Sequence, residues 1–263
     1  MQELRIPATE LSEEWVTPIG AADASDLRVM LNRVVYRGML FSMGTIAVGL
    51  HQVSPSTAWS FAKLSARNLA LATGVEVKLV GAENLPDEPS VITPNHASHF
   101  DIAALLGYLP GHNRFAAKKE LFREPVLGMV MKTLGMIPID REDPAQSIAL
   151  LNRIAARPEG AFSLIMFPEG TRSRDGRMGT FKNGAFTLAL QLGRPIVPIA
   201  IHGTSSIMPA GKYLSILPGT VVLEVLELDV SDQDQVEAAA AAVAERWDRV
   251  DGALHAIGFA PPV

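Results

Sequence analysis

His96 and Asp101, with four residues between them, carry the first chemical signal in the chain. They stand in Asn95-His96-Ala97-Ser98-His99-Phe100-Asp101, after the short apolar run Val91-Ile92-Thr93-Pro94 and at the start of an apolar helical pattern from Ile102 to Leu109. A histidine and an aspartate at a strand-to-helix turn suit a general base and the carboxylate that orients it. Imidazole, with an ordinary pKa of about 6.5, accepts a proton from a hydroxyl at neutral pH, while the carboxylate fixes its tautomer and stabilises the imidazolium. Alcohol acylation needs that chemistry. A structural role fits the pair equally well when it is taken alone, because the helix macrodipole favours an acid in a first turn.

A second segment, Phe167-Pro168-Glu169-Gly170-Thr171-Arg172-Ser173-Arg174, has the makings of an anion site. Gly170 permits close backbone approach, Thr171 and Ser173 offer hydroxyls, and Arg172 offers a planar fork for a phosphate. Arg174, Arg177 and Lys182 add charge, the last two reading as solvated surface. Metal ligation is not expected. Of six histidines only His96 and His99 are close, and no carboxylate cluster completes a site with them.

These residues need a scaffold, and 263 residues can bury one large α/β core with an N-terminal appendage. A net charge of −5 argues against a nucleic-acid partner. With no cysteine, disulfides, thiolate metal sites and a cysteine acyl-enzyme are excluded. The N-terminus, with Glu3, Glu10, Glu13 and Glu14 ahead of any apolar run, lacks the form of a secretory signal, so a cytoplasmic-side location is expected. No stretch reaches the 18 or so apolar residues that span a bilayer as a helix. The nearest, Met39 to Leu50, reads as an interfacial or a buried helix. Arg28, Arg33, Arg37, Lys63 and Arg67 flank it and would suit anionic headgroups; a plain core helix is the competing reading.

Hydrophobic periodicity divides the chain at about residue 73. Residues 1–73 read as a polar arm to residue 25, then two helices broken at Ser54-Pro55-Ser56-Thr57. Residues 74–263 read as one α/β domain. Strands are expected at Val75–Val80, Ser90–Thr93, Phe115–Ala117, Met136–Ile139, Ser163–Phe167, Ile196–Ile201 and Val221–Leu228, the first and last half-buried by their alternation. Helices are expected after the histidine turn, at Pro125–Leu134, Pro144–Ala156, Asn183–Leu192 and Ala238–Val250. The pattern predicts a mixed central sheet flanked by helices, with an N-terminal two-helix segment that associates with a membrane.

Four blocks fall at strand ends: Asn95–Asp101; Lys118-Lys119-Glu120-Leu121 together with Gly135–Arg141; Phe167–Arg174; and Ile196–Ile199. Over about residues 75–205 this set resembles the glycerophospholipid acyltransferase family, which includes 1-acylglycerol-3-phosphate O-acyltransferases. The combination is specific, because Asn-His-x4-Asp is followed some 65 residues further on by Phe-Pro-Glu-Gly-Thr-Arg-Ser. The resemblance implies that His96 is the general base and Asp101 its partner. The third block, Glu169, Gly170, Thr171 and Arg172, would hold the glycerol phosphate, with Glu169 either shaping the site or binding the hydroxyl. Lys118 and Arg141 match positions near the acceptor phosphate, and Lys119 is an alternative to Lys118. One departure is Pro138 in the second block, where the family commonly has a bulky residue.

The implied reaction moves a fatty acyl group from acyl-CoA or acyl carrier protein, a co-substrate with no cofactor needed, to lysophosphatidic acid. Its membrane lipid acceptor implies a peripheral or monotopic enzyme on the cytoplasmic face. Ser98 as a nucleophile is the weaker option, since a thioester is already activated. Another lysolipid or glycolipid acceptor, a thioester hydrolase, and a catalytically idle membrane module remain as alternatives.

Overall fold

A computed structural model describes residues 25–140, 162–174, 178–209 and 215–226, with 146, 149, 150 and 153 between them. Helix α1 (Asp26–Val53) starts where the Ser25 hydroxyl accepts the Arg28 N–H. It ends at Ser54, whose extended backbone and side chain cap α2 (Pro55–Thr73), with Pro55 in the first turn. This is the break expected from Ser54-Pro55-Ser56-Thr57, and it works because a serine accepts an otherwise orphaned N–H while proline has none to lose. Gly74, at φ 77°, closes α2 in the left-handed conformation that a side chain resists.

Strands β1 (Val75–Val80), β2 (Val91–Pro94), β3 (Asn113–Lys118), β4 (Ile137–Ile139), β5 (Ser163–Ile165), β6 (Ile196–His202) and β7 (Gly219–Val225) form one sheet in the order β1-β7-β6-β2-β5-β3-β4. Only β6 and β7 pair antiparallel; the other neighbours are parallel. Hence β6, β2, β5, β3 and β4 all run one way, and their carboxyl ends share one edge. Between the strands lie α3 (Phe100–Tyr108), α4 (Pro125–Thr133), α5 (Gly184–Leu192) and the short α6 (Thr204–Ile207).

The expected mixed sheet is therefore present, with three adjustments. Alternation predicted a half-buried final strand, yet β7 is buried at every position but Glu224, because it lies between β1 and β6 rather than at an edge. The turn that the residues Gly81 to Pro86 suggest is a 3-10 turn at Ala82–Asn84, whereas the 3-10 turn at Lys119–Arg123 and α6 are too short for periodicity to register. Pro138 does not end the ladder: β4 is the edge strand among the described ones, where proline is tolerated, and it pairs with β3 on both sides of Pro138. The arm before residue 25, the helix at 238–250 and Arg141 lie outside the described residues, as does most of the helix expected at 144–156.

The core lies chiefly between the sheet and the N-terminal helices. Phe100, Leu105 and Leu106 of α3 pack with Ile92, Phe115, Ile165, Val197 and Ile199 of the sheet. Each such side chain contributes about 1.5–3 kcal/mol by leaving water. Helix α2 joins that core through Ala58, Ala62, Ala66 and Ala70, one small buried residue per turn. Small residues there allow close approach: a Cβ added to Gly107 of α3 would stand 3.3 Å from the Arg67 backbone. On the opposite face Leu188 of α5 packs with Ile137, Phe162 and Leu164. Val197 and Ile199 of the fourth block are thus core strand residues, and Met131 and Leu134 are core as well.

Candidate active site

The five parallel strands deliver their carboxyl ends to one edge, which is where ligands bind in open α/β sheets. The chain leaves β2 at Pro94, turns through Asn95–His99 and enters α3, so Asp101 falls in the first turn of that helix. Asp101 is wholly buried, and His96 Nδ1 lies 2.7 Å from its Oδ2. A carboxylate only accepts, so His96 Nδ1 is the donor, and in the neutral ring the lone pair is on Nε2. The Ala97 and Ser98 N–H groups donate to the same Oδ2, each at 2.9 Å. Three donors thus converge on Oδ2, while Oδ1, equally buried, has no hydrogen-bond partner among the described residues.

The ring of His96 is held on its face as well. Phe167 stacks on it at 3.8 Å between centroids and 19° between planes. The backbone of His96 is tied to the loop after β5: its N–H donates to Glu169 Oε1 at 2.6 Å, and its carbonyl accepts the Ser173 N–H at 2.8 Å. Glu169 is buried, and its second oxygen accepts the Gly179 N–H at 2.8 Å. Burial raises the Glu169 pKa above the usual carboxylate value, and the two N–H donors from His96 and Gly179 oppose that rise. Of the two roles expected of this residue, shaping the site is the one its bonds display.

Gly170, at φ 69°, closes a turn with its N–H on the Phe167 carbonyl. The next residues, Thr171 exposed and Arg172 half-buried, lie at the mouth of the dyad. Arg172 is near enough to His99 to depress that imidazole, whose pKa falls to about 4 through burial first, then the Arg172 charge, then His96, with Asp101 opposing. The loop is closed at its far end by the Lys182 N–H on the Pro168 carbonyl.

Not every expected residue converges. Lys118, exposed at the end of β3, has its ammonium 3.8 Å from Glu120. Lys119, the alternative, is paired with Asp140. Strand order brings these lysines and the end of β4 to the same edge as His96, two and three strands away from β2. The Ser98 hydroxyl is buried, donates to the Met208 carbonyl at 3.0 Å and accepts the Phe100 N–H, so it ties the turn together and does not face an acyl group. Sequence reasoning gave no role to Asn95, Phe167 or Gly179. The signal for the first two was their place inside the quoted motifs; Gly179 offered none.

Comparison with known proteins agrees with this geometry. A family model described as Acyltransferase matches residues 76–202. A second, described as Enoyl-(Acyl carrier protein) reductase, matches residues 212–263; within that stretch β7 belongs to the sheet just described, and residues 227–263 lie outside the described ones. The chain is 45% identical over 134 residues to a chloroplastic 1-acyl-sn-glycerol-3-phosphate acyltransferase from Brassica napus, covering 50% of this chain and 39% of that one. It is 42% identical over 139 residues to a counterpart from Arabidopsis thaliana, again 39% of the relative's length. Against a 1-acyl-sn-glycerol-3-phosphate acyltransferase from Saccharomyces cerevisiae it is 32% identical over 209 residues, 78% of this chain and 68% of that one. The crystal structure of a 1-acyl-sn-glycerophosphate acyltransferase from Thermotoga maritima shares the fold, with a TM-score of 0.64 over 84% of this chain and 95% of that one, at 23% identity. With its histidine turn and phosphate-suited loop on the edge that this fold reserves for ligands, the chain belongs to the glycerophospholipid acyltransferase family, that of the 1-acyl-sn-glycerol-3-phosphate acyltransferases it matches.

Proposed function

We propose that the chain moves a fatty acyl group from a thioester, acyl-CoA or acyl carrier protein, to the free hydroxyl of 1-acylglycerol-3-phosphate, giving phosphatidic acid. The observation that carries this reading is the 2.7 Å bond from His96 Nδ1 to Asp101, which leaves Nε2 basic beside a loop suited to a phosphate. Nε2 takes the hydroxyl proton as the oxygen attacks the thioester carbonyl, and Asp101 stabilises the imidazolium that forms. The tetrahedral oxyanion collapses, the C–S bond breaks, and the leaving sulfur takes the proton back from His96. Arg172 holds the acceptor phosphate, with Gly170 and Thr171 beside it, Lys118 as a further cation at the edge and Arg141 contributing charge. Glu169 keeps the phosphate loop and the base in register through its bonds to His96 and Gly179.

The acceptor and the product are lipids, and α1 offers them a surface. Leu27, Leu31, Val34 and Phe41 recur at helical spacing and are exposed, Phe41 by 75%. Among the described residues no helix is long and apolar enough to cross a membrane, so α1 would lie on one leaflet, at the cytoplasmic face, while the thioester arrives from water.

Thiol released from an acyl thioester, with and without lysophosphatidic acid, tests the reading. Release that depends on the acceptor and yields phosphatidic acid by mass spectrometry is the expected result. Equal release without acceptor would make the protein a thioester hydrolase.

A further inference from the structure

The turn that presents His96 leaves the sheet abruptly, and Asn95 makes that departure possible. The last rung between β2 and β6 pairs Pro94 with Ile199. Two residues on, a continued ladder would set Ile201 opposite His96, yet the backbone of His96 is already bonded to Glu169 and Ser173. Ile201 is buried, and both of its main-chain groups are taken by the Asn95 side chain: the Ile201 N–H donates to Asn95 Oδ1 at 2.6 Å, and Asn95 Nδ2 donates to the Ile201 carbonyl at 3.1 Å. A carboxamide has the donor and acceptor pair of a peptide group, so here it stands in for the missing rung of main chain. No other standard side chain of that length offers both functions, and a buried peptide group left without partners is costly.

Resting on the acyl-transfer reading above, we propose that Asn95 is a positioning residue for that reaction: by substituting its carboxamide for a rung of the sheet, it fixes the direction in which His96 leaves β2 and so the aim of Nε2. Three ties then hold the turn to three different parts of the fold. Asn95 binds β6, Ser98 binds the Met208 carbonyl after α6, and the His96 N–H binds Glu169 in the loop after β5. Of the three, Asn95 alone is the immediate chain neighbour of the base and bonds through its side chain to a strand of the central sheet. Its loss therefore frees the turn at its root.

The test compares Asn95→Ala and Asn95→Asp with wild type and His96→Ala, by steady-state kinetics and by the downfield Nδ1–H proton signal of His96, identified by its absence in H96A. Circular dichroism checks that each variant is folded. Because an aim lost by about an ångström costs roughly a hundredfold in rate, N95A is expected to lose about that factor in kcat, with the acceptor KM within about threefold of wild type. Its Nδ1–H signal should shift or broaden. N95D keeps the acceptor for the Ile201 N–H but at neutral pH offers its carbonyl no donor; it should lose about tenfold in kcat at unchanged KM, and it decides the matter if N95A does not fold. A folded variant with kcat within about threefold of wild type overturns the proposal, and so does a kcat loss with an unaltered His96 signal. If wild type shows no acceptor-dependent turnover, the acyl-transfer reading fails. The His96 signal in N95A then still decides whether Asn95 positions the base, a shift supporting it and an unchanged signal overturning it.

Discussion

His99 titrates far from a solvated histidine although it stands at the protein surface, three residues from His96. Burial, the Arg172 charge and His96 together bring its pKa to about 4, against the partial opposition of Asp101. In the unfolded chain the same imidazole binds a proton below its ordinary 6.5 or so. Between those two values acid protonates the unfolded chain and not the folded one, so stability present above pH 6.5 is lost as pH falls towards 4. More than a third of the residue is exposed, so the effect is screened and modest. His99→Gln is expected to flatten the decline of Tm between pH 7 and pH 4.5, and parallel curves for the variant and wild type would contradict the argument. Glu169 runs the other way: its raised pKa means the folded form holds a proton more tightly, so its contribution is largest in acid and declines as pH rises through that pKa. The dyad was legible in the sequence because its two members are five positions apart on one turn, close enough for local geometry to join them. The bonds of Asn95 to Ile201 cross 106 positions, and the stacking of Phe167 on His96 also joins distant parts of the chain, so only the assembled sheet reveals them.

The N-terminal helices hold two kinds of cation that look alike in sequence. Lys63 donates to the carbonyls of Leu109 and Gly111, and Arg67 to that of Gly107 at 2.6 Å. These acceptors lie at and just beyond the carboxyl end of α3, where the helix leaves carbonyls without partners and the macrodipole favours positive charge. Arg33 donates to the Ser215 hydroxyl. Three of the five cations expected to meet headgroups therefore serve the fold, and α2 is braced against the helix that carries Asp101. What remains for a lipid surface is the apolar stripe of α1 with the exposed Arg28 and Arg37 on the same helix. Val34→Asp with Phe41→Asp removes its two most exposed members among Leu27, Leu31, Val34 and Phe41, at 65% and 75%. The double variant should stay with the soluble fraction in flotation with anionic phosphatidylglycerol vesicles while wild type floats. Surface changes of this kind move stability by less than about 0.5 kcal/mol each. Flotation equal to wild type would remove α1 from the membrane account.

At the scale of the whole molecule, hydrophobic periodicity located the strands and the helix-to-strand alternation, and with them the mixed sheet. The order of the strands was beyond its reach. Strand β7 slots between β1 and β6, and its register pairs Val75 with Gly219 across most of the chain, a partnership set by burial rather than by local pattern. That insertion decides what the molecule can do, because it leaves β6, β2, β5, β3 and β4 parallel and adjacent with their carboxyl ends on one edge. His96 and the loop after β5 meet there, and Lys118 lies further along the same edge, although they come from separate parts of the chain. The central claim is that His96 at this edge activates the acceptor hydroxyl, and acceptor-dependent thiol release by folded His96→Ala tests it most directly. A general base contributes about 10²–10⁴-fold, so kcat should fall by that order while circular dichroism and Tm stay those of wild type. Turnover within about threefold of wild type would contradict the account.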